Sequence, residues 1–253
     1  VEKVIALLWG QPDPAAGDGL RELLLGDVVP RLLQGGARAI TVNVHDTLAA
    51  AAPSPAPAPD GEDTHVAQVS VWVDSYDRRG DLDAVVGSAG LPWSAYLVTE
   101  SLYDDYGTTP HSGPRTWPDG ERSPGVLTVA RIHRPAGLDE ATWIERWHGT
   151  QSPASARLQP RTRYVRNQVV RALTPGAPEA DGIVEEAWPS AEHVANPMLF
   201  FNADGDPQRC RDHIAEMMAN VEGCLDLARL RSTTMSEHLV RELSAASPQV
   251  RTE

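Results

Sequence analysis

His148 is the residue whose type and spacing best suit it for chemistry. It follows Trp147 and lies one turn beyond Ile144, at the edge of the apolar face of a helix expected from Asp139 onward. Its imidazole can therefore point into the gap between helix and sheet, where a group titrating near neutrality serves as general acid or base. The same position also suits a structural histidine bonded to a backbone carbonyl where the helix breaks before Pro153. Tyr164 and Glu186, on two later strands, are the expected partners. The phenol could donate to a developing oxyanion, and the carboxylate could orient the imidazole. Read structurally, both would fill space between sheets. Substrate-binding positions are expected at His133, which ends a strand beside Arg134, at Trp147 and Trp188, whose rings could stack on a flat molecule, and at Asn167. Each of these has a plainer reading. His133 could be a solvated strand end, the tryptophans core packing, and Asn167, which repeats Asn43, a residue of the shared fold.

The elements that must position these residues follow a repeated order. An apolar run at 3–9 reads as a strand. Leu20, Leu23, Leu24, Val28 and Leu32 recur at helical spacing, with Asp18 as the expected N-cap and Gly35-Gly36 as the stop. Ile40, Val42 and Val44 share one face of a strand from Arg38 to His45. Alternating Ala and Pro from Ala49 to Pro59 predicts an extended, solvated hairpin loop. Val69, Val71 and Val73 oppose Gln68, Ser70 and Trp72 on a third strand. A helix near 79–88 and a strand near 94–102 complete a β-α-β-β-α-β unit.

Residues 104–124, rich in Pro and Gly, read as a linker, after which the order restarts. A strand at 126–133 precedes the His148 helix, and strands follow near 161–173 and 181–188. A helical region from 190 to about 220 is interrupted near 202–207, and a last strand is expected near 224–237. Pro30 and Pro153 both interrupt the first helix of their half, which makes Leu25 the counterpart of His148. The expected fold is α+β, two fused ferredoxin-like (βαββαβ) repeats at 1–103 and 125–242, with a flexible tail at 243–253. Several strands are apolar on both faces, as where Leu127 and Val129 alternate with Val126, Thr128 and Ala130. A sheet of that kind needs a second cover, so the two sheets are predicted to pack face to face into an intrachain dimeric α/β-barrel with its helices outside.

Five segments together resemble the EthD family across residues 124–242. They are Ile132 to Asp139 with its Pro-Gly-Leu turn, Trp143 to His148, Arg163-Tyr164-Val165-Arg166-Asn167, Asp181 to Trp188, and Ser236-Glu237-His238-Leu239-Val240. One departure is local: the family usually has Pro two residues after the helix His, whereas Gly149-Thr150-Gln151-Ser152 intervenes here before Pro153. The resemblance implies the dimeric α/β-barrel fold. It also implies a link to oxidative catabolism, since the family is named for a protein needed for ethyl tert-butyl ether degradation alongside a cytochrome P450 system. Polyketide cyclases, isomerases, cofactor-free monooxygenases and some haem proteins share the wider fold, so fold alone does not choose the chemistry.

Composition narrows the classes. A formal charge of −13 argues against nucleic acid or an anionic membrane as partner, and no run approaches the roughly 20 apolar residues of a membrane span. Cys210 and Cys224 stand in no metal-like pattern, the acidic pairs Asp104-Asp105 and Glu185-Glu186 lack the ligand count of a metal site, and no phosphate loop or serine-hydrolase elbow occurs. A cytoplasmic protein is expected. Three readings remain open. The first is a cofactor-independent enzyme of cyclase, isomerase or oxygenase type, acting on a small apolar or aromatic molecule with His148 moving protons. The second is an accessory or binding protein of an oxidative pathway, and the third a haem protein with His148 or another histidine as axial ligand. A further homodimer is compatible with each.

Overall fold

The computed structural model describes residues 1–243. The expected tail, apart from Leu243, lies outside them. Strand β1 (Glu2–Gly10) shows how the chain builds its layers. Its side chains alternate, so Val4, Ala6 and Leu8 join an apolar cluster under the first-half helices. Ile5, Leu7 and Trp9 turn the other way and meet Leu127, Val129, Ile183 and Met235. A strand apolar on both faces is buried on both, and every interior residue of β1 is.

The first half continues through α1 (Pro14–Leu23), a π-helical turn (Leu24–Val28), α2 (Val29–Gln34), β2 (Ala39–Val44), β3 (Thr64–Val73), α3 (Gly80–Gly87) and β4 (Trp93–Asp104). The second half runs through β5 (Val126–Ile132), α4 (Glu140–Ile144), a π-helical segment (Glu145–Gln151), α5 (Ser152–Leu158), β6 (Arg163–Ala172) and β7 (Gly182–Trp188). It ends with α6 (Ala191–Ala195), α7 (Pro197–Phe200), α8 (Pro207–Glu222) and β8 (Arg231–Arg241). All eight strands close one antiparallel barrel in the order β1-β3-β2-β8-β5-β7-β6-β4. The two halves are joined by hydrogen-bonded seams, β2 to β8 with Val42 opposite His238, and β4 to β6 with Val98 opposite Val169. Mutual cover was expected from stacked sheets. It is achieved by edge-to-edge closure, which also leaves no strand edge open.

Local expectations are corrected at four places. Helix α1 begins at Pro14, and its cap is Asp13, which accepts from the amides of Ala15 and Ala16 at 3.0 and 3.3 Å. Proline at the first helical position draws the start forward, and Asp18 instead accepts from Thr47 and Arg21. Pro30 and Pro153 do not break their helices, because each follows a π-helical stretch. A proline ring collides with the carbonyl four residues earlier; widening the turn relieves this, and those earlier residues are Gly26 and Gly149.

The Ala-Pro loop is only partly solvated. Ala49 and Ala52 are buried, and Ser232 donates its amide to the Ala56 carbonyl at 2.6 Å while Ser54 accepts from the Thr234 amide at 3.0 Å. The loop thereby covers the part of β8 that β2 does not reach. Finally, β8 starts at Arg231, not near Cys224. The apolar residues Leu225, Leu227 and Leu230 that resembled a strand lie in a turn held by Arg229 donating to the Asp226 carbonyl, and they line a cavity.

The barrel interior is polar at one end. Glu185, fully buried, accepts from Lys3 at 3.2 Å, Gln68 at 2.9 Å and Asn167 at 3.0 Å. Arg163 donates to Glu237 at 2.9 Å, and Tyr106, from the segment between β4 and β5, donates to the same carboxylate at 2.7 Å. Burial alone would raise the Glu185 carboxyl, but Lys3, Arg163 and Gln68 outweigh it and hold the group below its ordinary value. No described helix is long and apolar enough to cross a membrane.

Candidate functional site

A cavity of about 280 Å³ lies between the outer face of the second-half sheet and its helices. Strand alternation supplies the floor: Thr128, Ala130 and Ile132 from β5, Tyr164 from β6, and Val184 and Glu186 from β7 all point outward. The helical wall is Trp147, Gln151 and Ser155 on one side and Met217, Met218 and Val221 of α8 on the other, with Phe200 and Phe201 beside them. Pro55 and Ala56 of the Ala-Pro loop close one flank, so the first half contributes to a site otherwise made by the second.

The walls are mainly apolar, with Thr128, Gln151, Gln159 and Ser232 as scattered polar groups and one charged corner. There Arg161, buried, donates to Glu186 at 2.6 Å and to the Ser155 hydroxyl at 2.8 Å, while its guanidinium lies 3.8 Å from the centre of the Tyr164 ring. Trp147 donates its indole N–H to the Tyr164 oxygen at 3.3 Å. Burial pushes the Tyr164 phenol up; Arg161 works against that shift and Glu186 with it. The phenol therefore stays protonated and can donate to an oxygen that develops negative charge.

Of the residues singled out in the sequence, Tyr164, Glu186 and Trp147 line this cavity. His148 does not. It stands edge-on to Trp147, ring centres 4.7 Å apart, and its Nε2 is buried without a hydrogen-bond partner. Burial, then the charge of Arg166, lowers its pKa to about 4, so the imidazole is neutral near pH 7. Glu186 is engaged by Arg161, so the expected orienting contact to His148 is replaced by an ion pair. Trp188 is fully buried behind the cavity, stacked on Phe200 at 4.5 Å and donating to Thr128 at 3.1 Å; it supports two wall residues without being one. Asn167 points to the other side of the sheet, where it donates to Glu185 and to the Ile183 carbonyl. His133 is buried beyond the end of β5, 4.0 Å from Asp181, with its pKa lowered by burial and by Arg229 and Arg131.

Sequence reasoning missed Arg161, Gln151 and the pair Met217 and Met218. Arg161 opens the strand expected at 161–173, but β6 starts at Arg163 and Arg161 lies ahead of it, where no periodicity fixes its direction. The methionines have a helical spacing that core packing explains equally well. Among the described residues no cluster of three or more His, Cys, Asp or Glu could hold a metal ion.

No protein-family model matches the chain, and no curated protein matches its sequence. Its fold is similar to that of an anthrone oxidase-like protein of solved structure, with a TM-score of 0.53 and 14% identity over 97% of this chain and 96% of that one. A protein provisionally described as a monooxygenase from Fusobacterium nucleatum aligns over 95% of this chain and 92% of its own at 7% identity, TM-score 0.47. A chlorite dismutase variant from Candidatus Nitrospira defluvii aligns over 94% and 92% at 8% identity, TM-score 0.46. The strand pairing gives an α+β fold with one eight-stranded antiparallel barrel closed within a single chain, and the likeness to the first of these extends over that whole fold.

Proposed function

We propose that the protein is a small-molecule enzyme of cofactor-independent cyclase, isomerase or oxygenase type, which takes an apolar or aromatic molecule into the helix–sheet cavity of its second half. The observation that carries this reading is the cavity itself: apolar and aromatic walls converging on Tyr164 and the Arg161–Glu186 pair at one end. A largely apolar pocket with a few convergent polar groups is the usual form of a small-molecule site. Tyr164 donates to oxygen on the bound molecule, and the Glu186 carboxylate is the proton acceptor within the walls. A role for His148 as acid or base requires the ligand to reach past Trp147. The EthD-like motifs at 132–167, 181–188 and 236–240, the division into ferredoxin-like repeats at 104–124, and a place in oxidative catabolism belong to the same proposal.

A second reading, a binding or accessory protein without turnover, is favoured by one specific observation: Glu186 is held by Arg161, and the half-buried His148 faces no carboxylate. No histidine is among the residues that line this cavity, so a haem held here would find no axial imidazole.

Binding and turnover test these readings separately. Naphthalene, as a probe, should quench the fluorescence of Trp147, and Val184→Phe, which fills the floor, should abolish that signal with an overpacking cost of about 1–3 kcal/mol in stability. Equal quenching in Val184→Phe would place the ligand elsewhere and end the cavity reading. Where a bound molecule is converted, Tyr164→Phe should slow product formation about 10- to 100-fold with little change in binding. His148→Ala should do so only if the imidazole moves protons. A ligand recovered unchanged under oxygen would leave the binding reading.

A further inference from the structure

Strand alternation leaves Glu186 on the outer face of β7, with Thr128 of β5 directly opposite it on one side and Tyr164 of β6 on the other. Both neighbours line the helix–sheet cavity, as does Val184 two residues earlier on the same strand. Thr128, Tyr164, Val184 and, two residues on, Trp188 are all buried. The 23% of the Glu186 side chain that stays accessible therefore opens outward from the sheet, into the cavity. One carboxylate oxygen accepts from Arg161 at 2.6 Å. The other, Oε2, has no partner among the described residues and, unlike the side-chain atoms buried without one, is not closed off from solvent. It is an open acceptor on the cavity floor.

Charge at this acceptor has one sign. Among the described residues that line the cavity, Glu186 alone is charged. Arg161 offsets part of that charge, but it is 1% exposed, is not a lining residue, and directs its donors to Glu186 and Ser155. An anionic ligand would meet the carboxylate without reaching the guanidinium, and like charges brought together disfavour binding. A ligand ammonium, by contrast, can donate to Oε2, and a charge-assisted hydrogen bond is roughly twice as strong as a neutral one. Trp147, Phe200 and Phe201 line the same space, and aromatic rings take a desolvated ammonium on their faces. The formal charge of −13 also draws cations toward the molecule as a whole. Resting on the cavity reading above, we infer that the ligand is an apolar or aromatic molecule bearing a protonated amino group, held by the free oxygen of Glu186. Glu186 is thus the residue that selects ligand charge.

The test compares 1-(aminomethyl)naphthalene, 1-(hydroxymethyl)naphthalene and 1-naphthaleneacetate by titration calorimetry at pH 7, where the amine is protonated. The proteins are the wild type, Glu186→Gln and Val184→Phe. These probes share their two rings and differ chiefly in charge. The wild type should bind the ammonium about tenfold more tightly than the alcohol, and the carboxylate most weakly. Glu186→Gln keeps an oxygen for Arg161 and should lose that preference with the alcohol still bound. Val184→Phe, which fills the floor, should lose all three probes. An ammonium that binds Val184→Phe with wild-type affinity is held by the acidic surface elsewhere and would overturn the inference. So would a wild type that binds ammonium and alcohol equally or the carboxylate best, or a folded Glu186→Gln that keeps the preference. In each case, alcohol binding that Val184→Phe abolishes leaves the cavity reading standing. Should Glu186→Gln fail to fold, the wild-type order and its loss in Val184→Phe decide the matter. Failure of the wild type to bind any of the three would overturn both readings.

Discussion

At the scale of single residues, neighbours in the chain have been sent to opposite environments. Glu185 and Glu186 form one acidic pair in the sequence, yet strand alternation turns the first into the barrel and the second into the helix–sheet cavity. Glu185 is neutralised by Lys3 and Arg163 within a closed network, whereas Glu186 keeps one oxygen on Arg161 and faces the cavity. His65 shows what burial does to a group without a charged partner. It is fully buried, its Nε2 donates to the Val129 carbonyl at 2.9 Å, and burial lowers its pKa to about 4. Because the folded value lies below the ordinary 6.5, protons prefer the unfolded chain. Stability is whole above pH 6.5 and is lost as pH falls toward 4, by on the order of 3 kcal/mol from this group. Urea unfolding between pH 7.5 and 4.5 should show that fall, and His65→Gln, which keeps an N–H for Val129, should flatten it. An unchanged slope in the variant would remove His65 as its source.

At the scale of elements, the Ala-Pro loop matters most. Its composition cannot build a core of its own, and the loop was expected to lie in solvent. Hydrogen bonds from the Ser232 amide to the Ala56 carbonyl and from the Thr234 amide to the Ser54 hydroxyl instead lay it along β8, which places Pro55 and Ala56 on the cavity. Deleting 54–57 should open that flank and weaken naphthalene binding about threefold to tenfold, while cooperative thermal unfolding persists. Unaltered affinity would mean that the loop is not a wall. The prolines teach a related point. Pro30 and Pro153 were legible as irregularities, but whether a helix breaks or widens at a proline is decided by the backbone around it, which here opens into π-helical turns.

At the scale of the whole molecule, neither half closes its own sheet. The seams β2–β8 and β4–β6 join the halves, and the apolar interior formed by Ile5, Leu7, Leu127, Val129 and Met235 draws on both. A fragment of residues 125–243 would expose two strand edges and one apolar face. It should dimerise or aggregate, as read by light scattering after size exclusion. A folded, soluble monomer from that fragment would contradict mutual cover as the basis of the fold.

The order of strands and helices, the alternation that buries both strand faces and the start of a helix at Asp139, whose carboxylate accepts from the Thr142 amide at 2.9 Å, were readable from residue types alone, because they depend on local periodicity and short-range hydrogen bonding. Tyr164, Glu186 and Trp147 could be placed on strand and helix for the same reason, but the sequence did not separate them from His148, His133, Asn167 and Trp188, which do not line the cavity. Arg161 against Glu186, the second Glu186 oxygen left open to the cavity, the flank made by Pro55 and the placing of His148 behind Trp147 were settled only by the tertiary structure. Each is a contact between segments distant in sequence or a question of which of two neighbouring spaces a side chain enters. Periodicity names the face a residue occupies; only packing decides what stands opposite it.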